Sequence, residues 1–266
     1  MFAGIGTYTF PWAFALNNEN KMPALQLINY AIQHGIGFVQ FSDNFPLHAL
    51  DAEALQDIKN FAGENNIQLE VGTRRLTVEN TQHYISIAKF FNSPFLRMVV
   101  DDEDYHPHEE EVIAVIKEIL PDLKNNFIVL AIENHDRFKT ATLKHIITQT
   151  DMAYTGICLD TANSLGAGEG IHEVLDGLKN YVVNLHIKDI TIKRVTDKMG
   201  FVVEGAAAGE GMIDIPSIIH QLNETGRCKT ATLETWSNAA GTIEETIAKE
   251  KQLAEKSIHY IKQFLS

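Results

Sequence analysis

The sequence predicts an α/β fold, a single (β/α)8 TIM barrel over residues 1–266, and two observations predict it. Eight short apolar runs alternate with eight longer amphipathic stretches, the pattern of βα units feeding a parallel sheet. The chain length of 266 residues is also what eight such units occupy. A doubly wound sheet is the rival, and it would carry a glycine-rich phosphate turn after its first strand. Here that segment reads Thr7-Tyr8-Thr9-Phe10-Pro11-Trp12, without a glycine.

The elements follow in order. Strands are expected at Phe2 to Tyr8, Ile36 to Phe41, Ile67 to Gly72, Phe95 to Val100, Phe127 to Glu133, Tyr154 to Asp160, Tyr181 to Lys188 and Lys229 to Glu234. Helical periodicity fills Pro23 to His34, Ala52 to Asn65, Val78 to Phe91, Pro107 to Leu123, Thr140 to Thr150, Ile171 to Leu178, Pro216 to Thr225 and Thr242 to Phe264. Asp51, Thr77 and the pair Asp214 and Pro216 stand where N-caps and first turns belong. Gly35, Gly63 and Gly226 stand where helices stop. One connection is long, Ile190 to Met212, holding Lys193, Arg194, Lys198 and Gly205-Ala206-Ala207-Ala208-Gly209-Glu210-Gly211. A loop of that length in a compact domain is expected to cover the site.

Composition narrows the partners. With 22 Lys and Arg against 35 Asp and Glu, the formal net charge is −13, a field that opposes a nucleic-acid partner. Cys158 and Cys228 are too few for a disulfide framework and read as reduced core residues. The N-terminus lacks a basic segment followed by a long apolar run, and no uncharged stretch is long enough to span a bilayer. A cytoplasmic protein without a membrane partner is therefore expected, and a homo-oligomer is admitted.

In a barrel the chemistry gathers at the carboxyl ends of the strands. Four consecutive strands end in residues able to hold a metal: Glu133, Asp160, His186 and Glu234. Three carboxylates and an imidazole suit one hard to borderline divalent cation, Mn²⁺ first, with Mg²⁺, Co²⁺ or Zn²⁺ admitted. Without a cation the carboxylates would repel one another. The plainer alternatives are that Asp160 caps the segment after it and that His186 is a satisfied core histidine. Lys188 shares a face with His186 by strand alternation, so it is a candidate acid or substrate contact, or else pairs with a neighbouring loop. Arg74, Arg97 and Arg137 could grip an anionic substrate. The plainer reading pairs Arg97 with Asp101 or Asp102. Tyr8 and Trp12, with Phe10, Phe14 and Trp236, form an aromatic rim suited to the apolar faces of a sugar.

At these residues the chain resembles the xylose isomerase-like barrel superfamily, which contains sugar phosphate isomerases and epimerases, ketose 3-epimerases and zinc AP endonucleases. The matching strings are Ile132-Glu133-Asn134-His135, Leu159-Asp160-Thr161-Ala162-Asn163, Leu185-His186-Ile187-Lys188-Asp189, Gly209-Glu210-Gly211 and Leu233-Glu234. The resemblance implies that Glu133, Asp160, His186 and Glu234 hold one metal and that Glu133 and Glu234 exchange substrate protons. It also places His135 and Asn163 among the substrate contacts. The endonuclease branch continues Asp-x-x-His and has Asp-x-His before Gly-Glu-Gly; here Asn163 and Ala206-Ala207-Ala208 stand instead. Ketose epimerases likewise carry a histidine where this chain has Asn163. The expected activity is a metal-dependent isomerase or epimerase of a small sugar, sugar acid or ketose, working through an enediolate. A lyase, dehydrating or decarboxylating an oxidised sugar or keto-inositol on the same site, is the alternative. A noncatalytic sugar-binding barrel is disfavoured by the presence of all four ligands.

Overall fold

A computed structural model describes residues 1–15, 21–196 and 199–266; Lys198 lies outside them. Among the described residues ten strands follow one another: β1 Phe2–Gly6, β2 Phe38–Phe41, β3 Gln68–Arg74, β4 Phe95–Val99, β5 Val129–Glu133, β6 Thr155–Asp160, β7 Val182–Ile187, β8 Asp189–Arg194, β9 Phe201–Ala206 and β10 Thr230–Leu233. Eight of them close a parallel barrel in the order β1-β10-β7-β6-β5-β4-β3-β2. Parallel strands need crossover connections, supplied by α1 Ala24–Gln33, α2 Ala52–Glu64, α3 Val78–Phe91, α4 Glu109–Asn126, α5 Thr140–Thr148, α6 Ile171–Leu178 and α7 Ile215–Thr225, while α8 Ile243–Ile261 follows the last strand.

The helix starts are made by side chains that accept otherwise unpaired N–H groups. Asp51 accepts from Ala54, Thr77 from Asn80 and Asp214 from Ser217, with Pro216 in the first turn of α7. Thr242 and Glu245 form a reciprocal capping box at α8. Two sequence expectations are corrected at helix ends. Gly63 lies inside α2, and the turn is completed by Asn66 at φ 56°. Phe127 is not in a strand: it ends α4 in the left-handed region at φ 56° and is 81% exposed, so β5 starts at Val129.

Alternation along each strand separates two environments. Ile5, Val39, Leu130, Leu159, Leu185 and Leu233 are buried in the hydrophobic layer beneath the helices. The alternate residues point into the barrel, where Phe95, Ala131 and Cys158 make a small apolar cluster. Beyond it the interior turns polar. Register sets Glu133 beside Cys158, Asp160 beside His186, His186 beside Thr232 and Gln40 beside Glu70, so the polar residues of neighbouring strands meet inside the barrel.

The long connection is also corrected. Residues 190–212 are not an irregular cover: β8 and β9 pair as an antiparallel hairpin from Asp189↔Ala206 to Arg194↔Phe201. The backbone at Gly205 packs directly on Trp236. Neither cavity at the carboxyl end of the barrel is lined by a described residue of the hairpin.

Candidate metal centre and active site

The strand ends bring together the residues that the sequence singled out. A cavity of about 250 Å³ is lined by Tyr8, Asp43, Arg74, Arg97, Val99, Glu133, His135, Asn163, Lys188 and Glu234. It adjoins an outer pocket of about 550 Å³ that shares Tyr8, Asn163 and Lys188 and adds Trp12 and Trp236. Beneath the cavity lie Asp160 and His186, both buried.

Asp160, His186 and Glu234 each offer a ligand atom, and the three atoms lie within 4.8 Å of one another. His186 Nδ1 is 2.9 Å from Glu234 Oε1 and 3.3 Å from Glu133 Oε2. Asp160 does two things at once. Its Oδ1 accepts from the backbone N–H groups of Ala162 and Asn163 at 2.8 and 2.9 Å, while its Oδ2 faces the site. Asp160 Oδ2, His186 Nδ1 and Glu234 Oε1 are buried without a well-aligned hydrogen bond, although ion-pair partners stand close. Buried polar atoms are normally satisfied, and three such atoms converging on one point fit a cation. A second group, Glu133, Cys158 and His186, also meets this spacing. Its thiol is pushed well up, by burial and then by the Glu133 charge, so the all-oxygen-and-nitrogen set is the better match to a hard divalent ion.

The charges point the same way. Glu133, Asp160, Glu234 and Asp43 are formally four negative charges, opposed by Arg97 and Lys188. Arg74, 3.9 Å from Asp43, is a third and looser cation, so with His186 neutral the site keeps a net negative charge that a bound cation would offset. Lys188 Nζ sits 2.8 Å from Asp160 Oδ2, 3.0 Å from Glu234 Oε2 and 3.1 Å from Asn163 Oδ1, so it pairs inside the site and not with a neighbouring loop. Burial disfavours its charged form, but the Asp160 and Glu234 carboxylates outweigh burial and raise its pKa. Glu234 is held well below the usual carboxylate range: burial opposes this, and His186 and Lys188 overcome it. The same two opposing influences, with Glu234 and Glu133 as the partners, raise His186.

Arg97 does not pair with Asp101 or Asp102. Its Nε donates to Glu133 Oε2 at 2.5 Å and its Nη1 to Asp43 Oδ1 at 2.5 Å. Burial works against ionising Asp43, yet Arg97 and the Tyr8 hydroxyl at 2.8 Å bring its pKa below the ordinary value. Arg137 pairs instead with Asp101. Arg74 stands 3.9 Å from Asp43 and 3.4 Å from Asp102, its Nε donates to the Asp101 carbonyl at 3.4 Å, and its side chain is 40% exposed at the cavity. His135 is turned to Asp136 at 2.5 Å and is half exposed. Trp12 donates its indole N–H to the Ser237 carbonyl at 2.8 Å, which fixes its ring at the outer pocket.

Four residues escaped the sequence reading: Asp43, Gln40, Glu70 and Asn184. Gln40, Glu70 and Asn184 interrupt apolar strands, and Asn184 stands two positions before His186, so strand alternation places it on the same inward face. Asp43 follows β2 by two residues and carried no pattern.

A family model described as xylose isomerase-like TIM barrel matches residues 28–264. A 3-oxo-isoapionate decarboxylase from Pectobacterium atrosepticum is 28% identical over 261 residues, covering 98% of this chain and 95% of that protein. Among solved structures, D-psicose 3-epimerase with D-tagatose from Clostridium cellulolyticum H10 superposes with a TM-score of 0.73 at 15% identity, over 98% of this chain and 97% of the other. A xylose isomerase-like TIM barrel protein from Mycobacterium smegmatis in complex with magnesium gives 0.70 at 12% identity, over 97% and 96%.

Proposed function

The chain belongs to the xylose isomerase-like TIM barrel family, and from that premise we propose that it is a divalent-metal-dependent lyase that decarboxylates a 3-oxo sugar acid. The observation that carries this reading is the state of Glu133. Its Oε2 is held by Arg97 at 2.5 Å and its Oε1 by Asn163 Nδ2 at 2.8 Å, so both oxygens are occupied. Epimerisation wants a proton removed by one carboxylate and returned from the opposite face by another. Decarboxylation needs no base at that position, because the carbon–carbon bond itself releases the electron pair. The full-length relative named as a decarboxylase of a 3-oxo acid supports the same choice.

Asp160, His186 and Glu234 would hold the cation, which when bound would supply Lewis-acid polarisation of a ketone oxygen, with the occupied Glu133 carboxylate standing beside them. Arg74, exposed in the cavity and only loosely paired, orients the substrate carboxylate. The bond between that carboxylate and its neighbouring carbon breaks, CO₂ leaves, and the electron pair remains as an enolate conjugated to the ketone. Lys188 Nζ delivers one proton to the carbon that lost CO₂ and recovers it from solvent. Trp12 and Trp236 border the outer pocket and limit water at the reacting carbon.

A second reading is favoured by one feature: Glu133 and Glu234 both reach His186 Nδ1, at 3.3 and 2.9 Å, so the site gathers the two carboxylates that a two-base epimerase would use. One experiment separates the two. The protein with Mg²⁺ is incubated in D₂O with a ¹³C-carboxyl-labelled 3-oxo sugar acid or with a neutral ketose, and both are followed by NMR. Labelled CO₂ with one deuterium at the new C–H supports the lyase. Epimerisation of the ketose with deuterium incorporation and no CO₂ would replace it with the second reading, and no change in either substrate would reject both.

A further inference from the structure

We propose that a relay of fixed hydrogen-bond polarity, running from the backbone carbonyl of Thr230 through Asn184 and Gln40, sets the tautomer of His186 so that Nδ1 presents its lone pair to the cation site. This rests on the reading of His186 as a metal ligand. Asn184 and Gln40 are positioning residues that touch neither cation nor substrate.

The relay starts at a group whose role cannot be exchanged. A backbone carbonyl only accepts hydrogen bonds, and Thr230 O lies 3.3 Å from Asn184 Nδ2, with Thr230 Oγ1 a further 2.9 Å neighbour of the same nitrogen. The Asn184 amide therefore turns its NH₂ to Thr230 and its oxygen inward. That oxygen lies 3.3 Å from Gln40 Nε2 and 3.2 Å from the Cys158 thiol, two donors for one acceptor. Gln40 Nε2 is thereby committed as a donor, and Glu70 Oε2, 3.2 Å away, accepts from it as well.

With its NH₂ committed, Gln40 can offer His186 only its carbonyl oxygen, and Gln40 Oε1 is 2.7 Å from His186 Nε2. An acceptor at that distance requires the proton on Nε2. The neutral ring then has its lone pair on Nδ1, the atom 2.9 Å from Glu234 Oε1 and 3.3 Å from Glu133 Oε2 that has no well-aligned hydrogen bond. Turning Gln40 over would set two carbonyl oxygens against each other at the Asn184 contact. Gln40, Glu70, Cys158, Asn184 and His186 are all fully buried, so water cannot supply the missing proton, and an unmatched pair in such a setting is costly. Without the relay, the two carboxylates beside Nδ1 would draw the single proton of a neutral ring to their own side, which is the tautomer that cannot take a metal there. Outer-layer partners of a metal-ligating histidine commonly fix the tautomer in this way.

The test reads the tautomer directly. Long-range ¹H–¹⁵N NMR of metal-free wild-type protein, at an alkaline pH where the ring is neutral, is expected to show His186 protonated at Nε2. Gln40→Leu should shift the proton toward Nδ1, and Asn184→Leu, two links away from the ring, should give a mixture. Mg²⁺ affinity by calorimetry should fall by roughly 10- to 100-fold in folded Gln40→Leu. An Nδ1–H tautomer in the wild-type protein overturns the relay, and this needs no variant to fold. So does wild-type Mg²⁺ affinity in Gln40→Leu that retains its native circular dichroism. Wild-type protein that binds no divalent cation would reject the metal-site reading, and the tautomer of the metal-free ring would still decide the relay.

Discussion

The guanidinium of Arg97 stands between Glu133 and Asp43 inside the barrel, 2.5 Å from an oxygen of each. It ties β4 to the end of β5 and to the segment after β2, and it is nearly closed to solvent. Replacing it by Leu would leave two buried carboxylates facing each other without their cation. Removing one partner of a buried pair costs about 3–5 kcal/mol, so urea denaturation of metal-free Arg97→Leu should show a loss of that order. Arg97→Lys should recover part of it, since one ammonium cannot reach both partners as the planar fork does. A loss below ~1 kcal/mol in Arg97→Leu would mean that the pair contributes little.

Glu70 predicts a pH dependence that differs from ordinary acid unfolding. It is fully buried, its Oε1 lacks a partner, and burial raises its pKa from 4.5 to about 8. Between those values the unfolded chain has released the proton and the folded chain still holds it. Stability therefore falls as pH rises through this window, by ~1.4 kcal/mol per unit at most from this group, and levels off above it. Glu70→Gln keeps the shape and cannot ionise. Urea midpoints measured from pH 5 to 8 should decline less in the variant than in wild type, and parallel curves would count against a buried acid at this position.

How far the sequence could be read is shown by these same residues. Glu133, Asp160, His186 and Glu234 each close an apolar run, so a barrel brings them to one rim without knowledge of side-chain geometry. Gln40, Glu70 and Asn184 were harder, because a polar residue within a short apolar run is equally consistent with a strand facing solvent. Only closure of the barrel makes that face interior. The partners of Arg97 could not be read at all: Asp43 and Glu133 are distant in sequence, while Asp101 and Asp102 are near. Proximity along the chain favoured the wrong pair. The hairpin β8–β9 was read as loop because its strands carry Thr191, Lys193, Arg194 and Glu204, and only Asp189 and Ile190 at its base are buried, too few to enforce alternation.

Cation binding should stabilise the fold. A ligand that binds only the native state adds about 2.7 kcal/mol at a concentration 100 times its Kd, and thermal unfolding with Mg²⁺ or Mn²⁺ should shift upward accordingly. Asp160→Asn retains the acceptor for Ala162 and Asn163 but weakens the ligand at Oδ2. It should lose most of the shift, and chelator should return wild type to its metal-free midpoint. An undiminished shift in Asp160→Asn would place the cation elsewhere.

Arg74 gives a kinetic prediction. Its contacts with Asp43 and Asp102 are long and its side chain is half exposed, so its removal should disturb the fold little. If it orients a substrate carboxylate, Arg74→Leu should raise KM for a 3-oxo acid about tenfold, the low end of a charge-assisted hydrogen bond. Mg²⁺ affinity by calorimetry should stay unchanged. Equal KM values for variant and wild type would remove Arg74 from substrate binding.

Asp189 follows Lys188 and organises the return from the hairpin. Its Oδ1 accepts from the N–H groups of Ile190 and Ile213 at 2.9 and 3.1 Å, and its Oδ2 from those of Gly209 and Gly211 at 2.9 and 3.0 Å. The Gly209-Glu210-Gly211 string is shaped by this carboxylate. Gly209 has φ +87°, and a Cβ on Gly211 would lie 2.0 Å from Asp189 Oδ1, so the backbone can wrap the acid only with glycine there. Asp189→Asn would turn an NH₂ toward donors and lose part of the arrangement, while Asp189→Ala would leave all four donors without their acceptor. Each donor left buried costs about 1–3 kcal/mol, so the segment should open to water in preference to staying closed. Hydrogen exchange at 209–213 should accelerate in Asp189→Ala while α3 keeps its protection; unchanged protection at Gly209, Gly211 and Ile213 would show that the carboxylate does not hold the turn.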